Sequence, residues 1–96
     1  MTTLFTIEST THFDRLFKKL ARRHPELPGY LRTLRTILQT DPYNRSGRHP
    51  IKKLNGIPVG NAQYRLRLGR FRFRYDIEEQ TVYLKRCSLR REDTYR

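Results

Sequence analysis

Arginine recurs at alternate positions between residues 63 and 75, where it is interleaved with aromatic and aliphatic side chains. The residues concerned are Arg65, Arg67, Arg72 and Arg74. A guanidinium group stays protonated, and its planar fork matches the oxygens of a phosphate group. Such groups bind phosphate chains and stabilise the negative charge that gathers on phosphate oxygens in a transition state. The spacing therefore indicates a surface for an anionic partner.

The hairpin that would position these arginines is expected to turn at Gly69-Arg70. With glycine as the first of two turn residues, as a type II′ turn requires, the flanking residues pair symmetrically about the turn. This register places on one face the apolar and aromatic side chains of both strands: Tyr64, Leu66, Leu68, Phe71, Phe73 and Tyr75. Because these side chains can pack beneath helices, the arginines are expected on the opposite face.

The opposite face would then carry like charges directly across from one another, Arg67 with Arg72 and Arg65 with Arg74. Like charges in this arrangement destabilise a sheet. If side chains alternate along the following strand, Lys85 falls on the same face of the sheet and is expected to join these arginines. A solvated strand face is one interpretation. A concave site for an anion is the better interpretation, because repulsion between the opposed arginines lowers the stability of the sheet and brings no benefit to folding.

Alternation along the strands also places two further residues, Asp76 and Cys87, on the face that carries the arginines. The simplest account of Asp76 is an ion pair with an arginine. Arginine neighbours would lower the pKa of the Cys87 thiol, although a bystander thiol is the simpler interpretation.

The composition agrees with an anionic partner. The 96 residues include 21 lysines and arginines but only 9 acidic residues, for a formal net charge of +12. The usual partners of such a surface are nucleic acid, an anionic membrane or an acidic protein. The length predicts a single domain over residues 1–96 with a thin core. No apolar run is long enough to span a membrane, no His or Cys cluster suggests a metal site, and one cysteine fits a reducing cytoplasm.

The rest of the pattern supplies two helices and further strands. Thr11 is expected to open a helix, with Asp14 as its capping partner, and Pro25 to end it. A second helix is predicted from Pro28 to Gln39, and the short break predicts an antiparallel helical hairpin. The main strands are predicted at Leu4–Glu8, Gln63–Leu68, Phe71–Ile77 and Thr81–Arg86, and a short one at Ile51–Leu54.

The main elements therefore follow the order βααβββ, which predicts an α+β fold. We expect the helical hairpin to pack on one face of a small antiparallel-type sheet, with the basic face left open.

With these residues in view, the chain resembles the RelE/ParE superfamily of toxins from type II toxin–antitoxin systems over nearly its whole length. The landmarks are Lys53-Leu54-Asn55-Gly56, Tyr64-Arg65-Leu66-Arg67-Leu68, Arg70-Phe71-Arg72-Phe73-Arg74-Tyr75 and Arg90-Arg91-Glu92-Asp93-Thr94-Tyr95. Their order and spacing are more specific than any single motif. The resemblance favours the ribonuclease branch. The alternatives are a DNA gyrase inhibitor of the other branch and a basic RNA- or ribosome-binding module.

The resemblance implies a ribosome-dependent endoribonuclease in which the 2′-hydroxyl of mRNA in the A site attacks the adjacent phosphate, without a metal or cofactor. It implies catalytic roles for the residues that match the basic positions and the closing tyrosine of the family: Arg65, Arg67, Arg72, Arg91 and Tyr95. Arg90 is the alternative match to the arginine of the C-terminal motif, and a terminal aromatic without a catalytic role is the competing interpretation of Tyr95. RNA contacts are expected from further basic residues: Lys52, Lys53, Arg70, Arg74, Lys85 and Arg90. A cognate antitoxin and a cytoplasmic location are also implied.

The general base is the point at which the sequence departs from the resemblance. Relatives often carry lysines where Arg65 and Arg67 stand, and an arginine is a poor base because it stays protonated. Some relatives carry a carboxylate just before the short strand, where this chain has Arg48-His49-Pro50. His49 is therefore a candidate catalytic base, since histidine changes charge near neutral pH. A loop histidine or a phosphate contact is the competing interpretation.

Overall fold

The computed structural model describes residues 4–90, which form two helices and a five-stranded sheet. The helices are α1 (Thr11–Arg23) and α2 (Leu27–Thr40). The strands are β1 (Thr6–Ser9), β2 (Ile51–Lys53), β3 (Tyr64–Leu68), β4 (Phe71–Glu78) and β5 (Thr81–Leu89). The predicted α+β class is confirmed. Because the short β2 belongs to the same sheet, the order over these residues is βααββββ, one strand more than the main elements predicted.

The strands lie in the order β1-β5-β4-β3-β2. Strands β2 to β5 pair antiparallel, whereas β1 pairs parallel with β5, so the sheet is mixed. A two-residue hairpin can join only antiparallel strands. No hairpin connects β1 to β5 along the chain, so turn chemistry did not determine the direction of β1.

Helix α1 begins at the predicted residue but is capped one residue earlier. The backbone N–H of Phe13 donates to Thr10 Oγ1 at 3.1 Å, which satisfies one of the unpaired donors of the first turn. The side chain of Asp14 is not the predicted capping partner of Thr11. Its carboxylate instead accepts a hydrogen bond from Ser9 Oγ at 2.7 Å. The helix ends at Arg23, just before Pro25, as predicted.

The hydrophobic core lies between the two helices and one face of the sheet. Its largest fully buried side chains come from both layers: Leu27, Leu34, Leu38, Leu66, Phe71, Phe73, Tyr75, Val82 and Leu84. The hydroxyl of Tyr75 donates to the Pro42 carbonyl at 2.8 Å, so this buried phenol is satisfied. Neither α1 nor α2 is long and apolar enough to cross a membrane.

The hairpin of β3 and β4 has the predicted register at every pair, including Arg65 with Arg74 and Arg67 with Arg72. Gly69, the first turn residue, has a φ of 57°. A Cβ atom at this position would lie 2.8 Å from Cζ of Tyr30. Glycine is therefore required both by the backbone conformation and by the close approach of α2.

Candidate nucleic-acid interface

A row of four basic residues crosses four neighbouring strands on the face of the sheet that is turned away from the core. Lys52 pairs with Arg65, Arg65 with Arg74, and Arg74 with Arg86. Since neighbouring strands are about 4.8 Å apart, the row extends over roughly 14 Å. This length is suited to a chain of phosphates rather than to a single anion.

A second pair of basic residues lies beside this row. Arg67 is directly opposite Arg72, one pleat nearer the hairpin turn. We call the six residues of the row and the pair the basic face: Lys52, Arg65, Arg67, Arg72, Arg74 and Arg86. The four arginines of β3 and β4 are half-buried, and the Nε atoms of Arg65 and Arg72 are shielded from solvent. Their stems are therefore packed in place, which lowers the entropy lost on binding an anion.

A β-bulge in β5 determines which residues of that strand join the basic face. Arg74 pairs with Arg86, but the next residue of β4, Tyr75, pairs with Leu84. Lys85 is therefore an extra residue, and the alternation of side chains is reversed beyond it. The bulge brings Arg86 to the basic face, where simple alternation would not place it.

The same bulge turns Cys87 into the core. Cys87 pairs with Phe73 and is 5% exposed, so its predicted placement on the basic side was wrong. The expected effect on its chemistry was also reversed, because burial raises the pKa of the Cys87 thiol to about 11. The error arose because alternation in a sequence does not reveal an inserted residue.

Asp76 lies on β4 two residues after Arg74 and is buried, with 4% of its surface exposed. Its oxygens accept hydrogen bonds from the backbone of Ala62 at 2.8 Å and of Gln63 at 3.0 Å. Lys85 Nζ lies 2.9 Å from Oδ2, so the ion pair is with this lysine and not with an arginine as predicted. Burial favours the neutral acid, but the hydrogen bonds from Lys85, Gln63 and Ala62 outweigh it and lower the pKa of Asp76.

Arg74 and Lys85 hold the loop of residues 57–63, which connects β2 to β3. Arg74 Nη2 donates at 2.9 Å to the carbonyls of residues 61 and 62, and Lys85 Nζ donates at 2.7 Å to that of residue 60. Two cations that the sequence suggested as RNA contacts thus also fix this loop. The carbonyl acceptors of Arg74 are neutral, and no carboxylate between residues 4 and 90 forms an ion pair with it.

Lys53 and Arg70 are not brought together with the basic face. Lys53 lies opposite Tyr64 in the sheet, with Nζ 5.8 Å from the centre of its ring. Arg70 lies in the hairpin turn, where Nη2 is 3.4 Å from Glu26 Oε2 and 3.4 Å from His24 Nδ1. Both contacts are on the side of the helices, away from the arginine pairs.

His49 lies in the loop that leads into β2. Its Nε2 atom is 3.8 Å from Oδ2 of Asp41, and this carboxylate also accepts a 2.6 Å hydrogen bond from the Ser46 hydroxyl. Burial opposes ionisation of Asp41, but this hydrogen bond and backbone donors outweigh it and lower the pKa of Asp41. The carbonyl of the next residue, Pro50, accepts a 3.1 Å hydrogen bond from Arg67 N. The backbone of the loop is therefore attached to β3, whereas the His49 imidazole faces Asp41 at the end of α2, in a pocket that no residue of the basic face lines.

The last described residue is Arg90, which is exposed and donates its backbone N–H to the Arg70 carbonyl. Arg91 and Tyr95, which the resemblance assigns to catalysis, lie outside the described residues. Within residues 4–90 there is no group of three or more His, Cys, Asp or Glu side chains that could hold a metal ion.

The fold is similar to that of a chain in the crystal structure of the toxin–antitoxin complex RelBE2 from Mycobacterium tuberculosis. The two chains superpose with a TM-score of 0.68 at 20% sequence identity, and the match covers 94% of this chain and 95% of the other. A likeness at this identity shows a RelE-like fold and does not by itself show an activity. A scan of protein-family models and a search of curated proteins found no match.

Proposed function

We propose that this chain with a RelE-like fold is the toxin of a type II toxin–antitoxin system and that it cleaves mRNA on the ribosome. The observation that carries the proposal is the basic face. Its opposed pairs, Arg65 with Arg74 and Arg67 with Arg72, gather four positive charges on one side of the sheet. An RNA backbone laid across them would place phosphate oxygens beside all four guanidinium groups, whose planar forks match such oxygens.

The proposed reaction is attack of the RNA 2′-hydroxyl on the adjacent phosphorus. A bond forms from the 2′-oxygen to phosphorus, the bond to the 5′-oxygen breaks, and the products are a 2′,3′-cyclic phosphate and a free 5′-hydroxyl. Arg65, Arg67 and Arg72 would stabilise the charge on the phosphate oxygens in the transition state. The resemblance implies that Arg91 stabilises the same negative charge. For Tyr95 it implies either proton transfer or base stacking.

His49 is the proposed general base for the 2′-hydroxyl. The support for this role is that the backbone of the loop that carries His49 is attached to that of Arg67 through the carbonyl of Pro50. To act as the base, the imidazole would have to turn from Asp41 towards the 2′-hydroxyl. The carboxylate of Asp41, 3.8 Å from Nε2, would stabilise the imidazolium that forms when His49 accepts the proton. Lys52 and Arg90 are proposed to contact the RNA backbone on either side.

A cognate antitoxin is the proposed protein partner. The net charge of +12 suits an acidic or amphipathic segment that folds on binding. The similar structure from Mycobacterium tuberculosis is described as a toxin–antitoxin complex, which supports such a partner. Since the proposed substrate is mRNA in the ribosomal A site, the proposed site of action is the cytoplasm.

The test is to map the 5′ ends of mRNA in a translating extract that contains the wild-type protein, Arg72→Ala or the control Arg35→Ala. Arg35 is an exposed arginine of α2, so the control removes the same charge away from the basic face. We expect new ends inside translated codons with the wild type and the control. With Arg72→Ala the cleavage rate should fall roughly 100-fold or more, the loss typical of one missing electrostatic donor.

A reaction without ribosomes, a growth assay in cells and the variant His49→Gln separate the possible results. Cleavage that persists without ribosomes would contradict ribosome dependence. Intact mRNA in the extract, together with growth arrest in cells, would refute the nuclease and would lead next to a supercoiling assay for gyrase inhibition. His49→Gln is run in the same extract, and an unchanged single-turnover rate would exclude His49 as the base.

A further inference from the structure

A pocket lies at the end of the row of basic residues, where β5 meets the beginning of α1. It has a volume of about 220 Å³. The lining residues that matter here come from three separate segments: Thr10, His12, Asn61, Lys85 and Arg86. Because Arg86 is also the last residue of the row, the pocket continues the basic face beyond β5.

The walls of the pocket are held in place by hydrogen bonds. On one side, Thr10 donates to the carbonyl of Leu84 from its backbone N–H at 3.1 Å and from its hydroxyl at 3.3 Å. This contact attaches the beginning of α1 to β5 just before the bulge. On the other side, Arg74, Asp76 and Lys85 fix the loop of residues 57–63. The pocket therefore exists before any ligand binds.

The side chains in the pocket differ in whether their charge is already compensated. Lys85 is paired with Asp76 at 2.9 Å. Arg86 is exposed, and its side chain makes no hydrogen bond or ion pair with any other residue between 4 and 90. The imidazole of His12 is likewise exposed and without such a contact in this part of the chain. The guanidinium and the imidazole thus remain available to an oxygen-rich anion.

We infer that this pocket binds a phosphate group of the RNA strand that flanks the phosphates held by the arginine pairs. The inference rests on the proposed function and extends it by one subsite. The order Lys52, Arg65, Arg74, Arg86 runs in one direction across the sheet, and the pocket lies at its β5 end, beside Arg86. An RNA strand laid along the row reaches the pocket, where Arg86 can bind two phosphate oxygens at once and His12 can donate a further hydrogen bond.

The test is the binding of RNA that cannot be cleaved, measured by fluorescence anisotropy. The probes are a dinucleotide and an octanucleotide with 2′-O-methyl groups, each titrated with the wild type, Arg86→Ala, Arg86→Lys, His12→Ala and the control Arg35→Ala. The dinucleotide has a single phosphate, which cannot lie between the arginine pairs and in the pocket at the same time. A difference between the two probes therefore isolates the pocket from the rest of the basic face.

We expect Arg86→Ala to weaken octanucleotide binding roughly tenfold, as for the loss of a charge-assisted hydrogen bond. The slope of log K against log salt should fall by about 0.7, the value for one phosphate contact on a single strand. Arg86→Lys should restore the slope but only part of the affinity, because an ammonium does not bind two oxygens in one plane. His12→Ala should weaken the octanucleotide alone, by roughly threefold.

Three results would overturn the inference in distinguishable ways. Equal losses for both probes in Arg86→Ala would mean that Arg86 belongs to the central face and that the pocket is not a separate subsite. Unchanged octanucleotide binding by His12→Ala would exclude a ligand inside the pocket. If the wild type bound neither probe, the inferred phosphate subsite would be refuted, whereas the proposed cleavage on the ribosome is decided separately by the assay in translating extract.

Discussion

Replacement of Asp76 by asparagine tests whether the buried carboxylate holds the loop against the sheet. The asparagine side chain would keep the size of the original and one carbonyl oxygen. It would lose the negative charge that pairs with Lys85 at 2.9 Å and one of the two oxygens that accept backbone hydrogen bonds from Ala62 and Gln63. The positive charge of Lys85 would then remain next to the buried end of the loop without a counter-charge.

The size of the effect follows from burial. Removing one partner of a buried ion pair costs about 3–5 kcal/mol of stability. The Lys85 side chain is 25% exposed, so water can recover part of this loss, and we expect about 2 kcal/mol for Asp76→Asn. Asp76→Ala would also leave two backbone N–H groups without an acceptor, at about 1–3 kcal/mol each if fully buried, so we expect about 4 kcal/mol in all.

These losses are large for a chain of 96 residues, whose total stability is expected to be roughly 5–14 kcal/mol. The assay is urea denaturation followed by far-ultraviolet circular dichroism, since the chain has no tryptophan. The matched control is Glu78→Gln, which removes an exposed negative charge from the same strand. Its effect should stay within about 0.5 kcal/mol. If Asp76→Asn were no less stable than this control, the anchoring role of Asp76 would be refuted.

Acid titration gives an independent reading of the same carboxylate. Because the pKa of Asp76 is lowered in the folded protein, its contribution to stability is present above the ordinary pKa of about 3.9. The contribution is lost as the pH falls through the lower, folded-state pKa. The stability advantage of the wild type over Asp76→Asn should therefore shrink on acidification from neutral pH. An advantage that grew instead would contradict the direction of the shift.

Two further predictions concern the hairpin turn and the bulge. Gly69→Ala should cost about 2–3 kcal/mol, because a positive φ and a Cβ 2.8 Å from Cζ of Tyr30 act together, whereas Gly56→Ala, with a positive φ in open space, should cost about 1 kcal/mol. Equal losses in urea denaturation would show that the contact with Tyr30 has no effect. Cys87, whose thiol pKa burial raises to about 11, should react with a disulfide reagent at neutral pH at least about 100-fold more slowly than in urea. Rapid labelling of the folded protein would contradict its place in the core.

The sequence by itself determined the hairpin and its arginine pairs. Alternation with a period of two divides the side chains of β3 and β4 between two faces, and a glycine that begins a two-residue turn sets the register. Both signals are local, and the observed pairs of Arg65 with Arg74 and Arg67 with Arg72 follow from them. The helical periodicity and the prolines likewise determined the two helices, and with them the α+β class.

Only the tertiary structure decided which residues complete the basic face. The bulge at Lys85 brings Arg86 onto that face and turns Cys87 into the core, because one extra residue reverses the alternation and leaves no sign in the sequence. The partner of Asp76 and the loop held by Arg74 depend on contacts between residues far apart in the chain. The parallel direction of β1 depends on its docking beside β5, since no local turn joins the two strands.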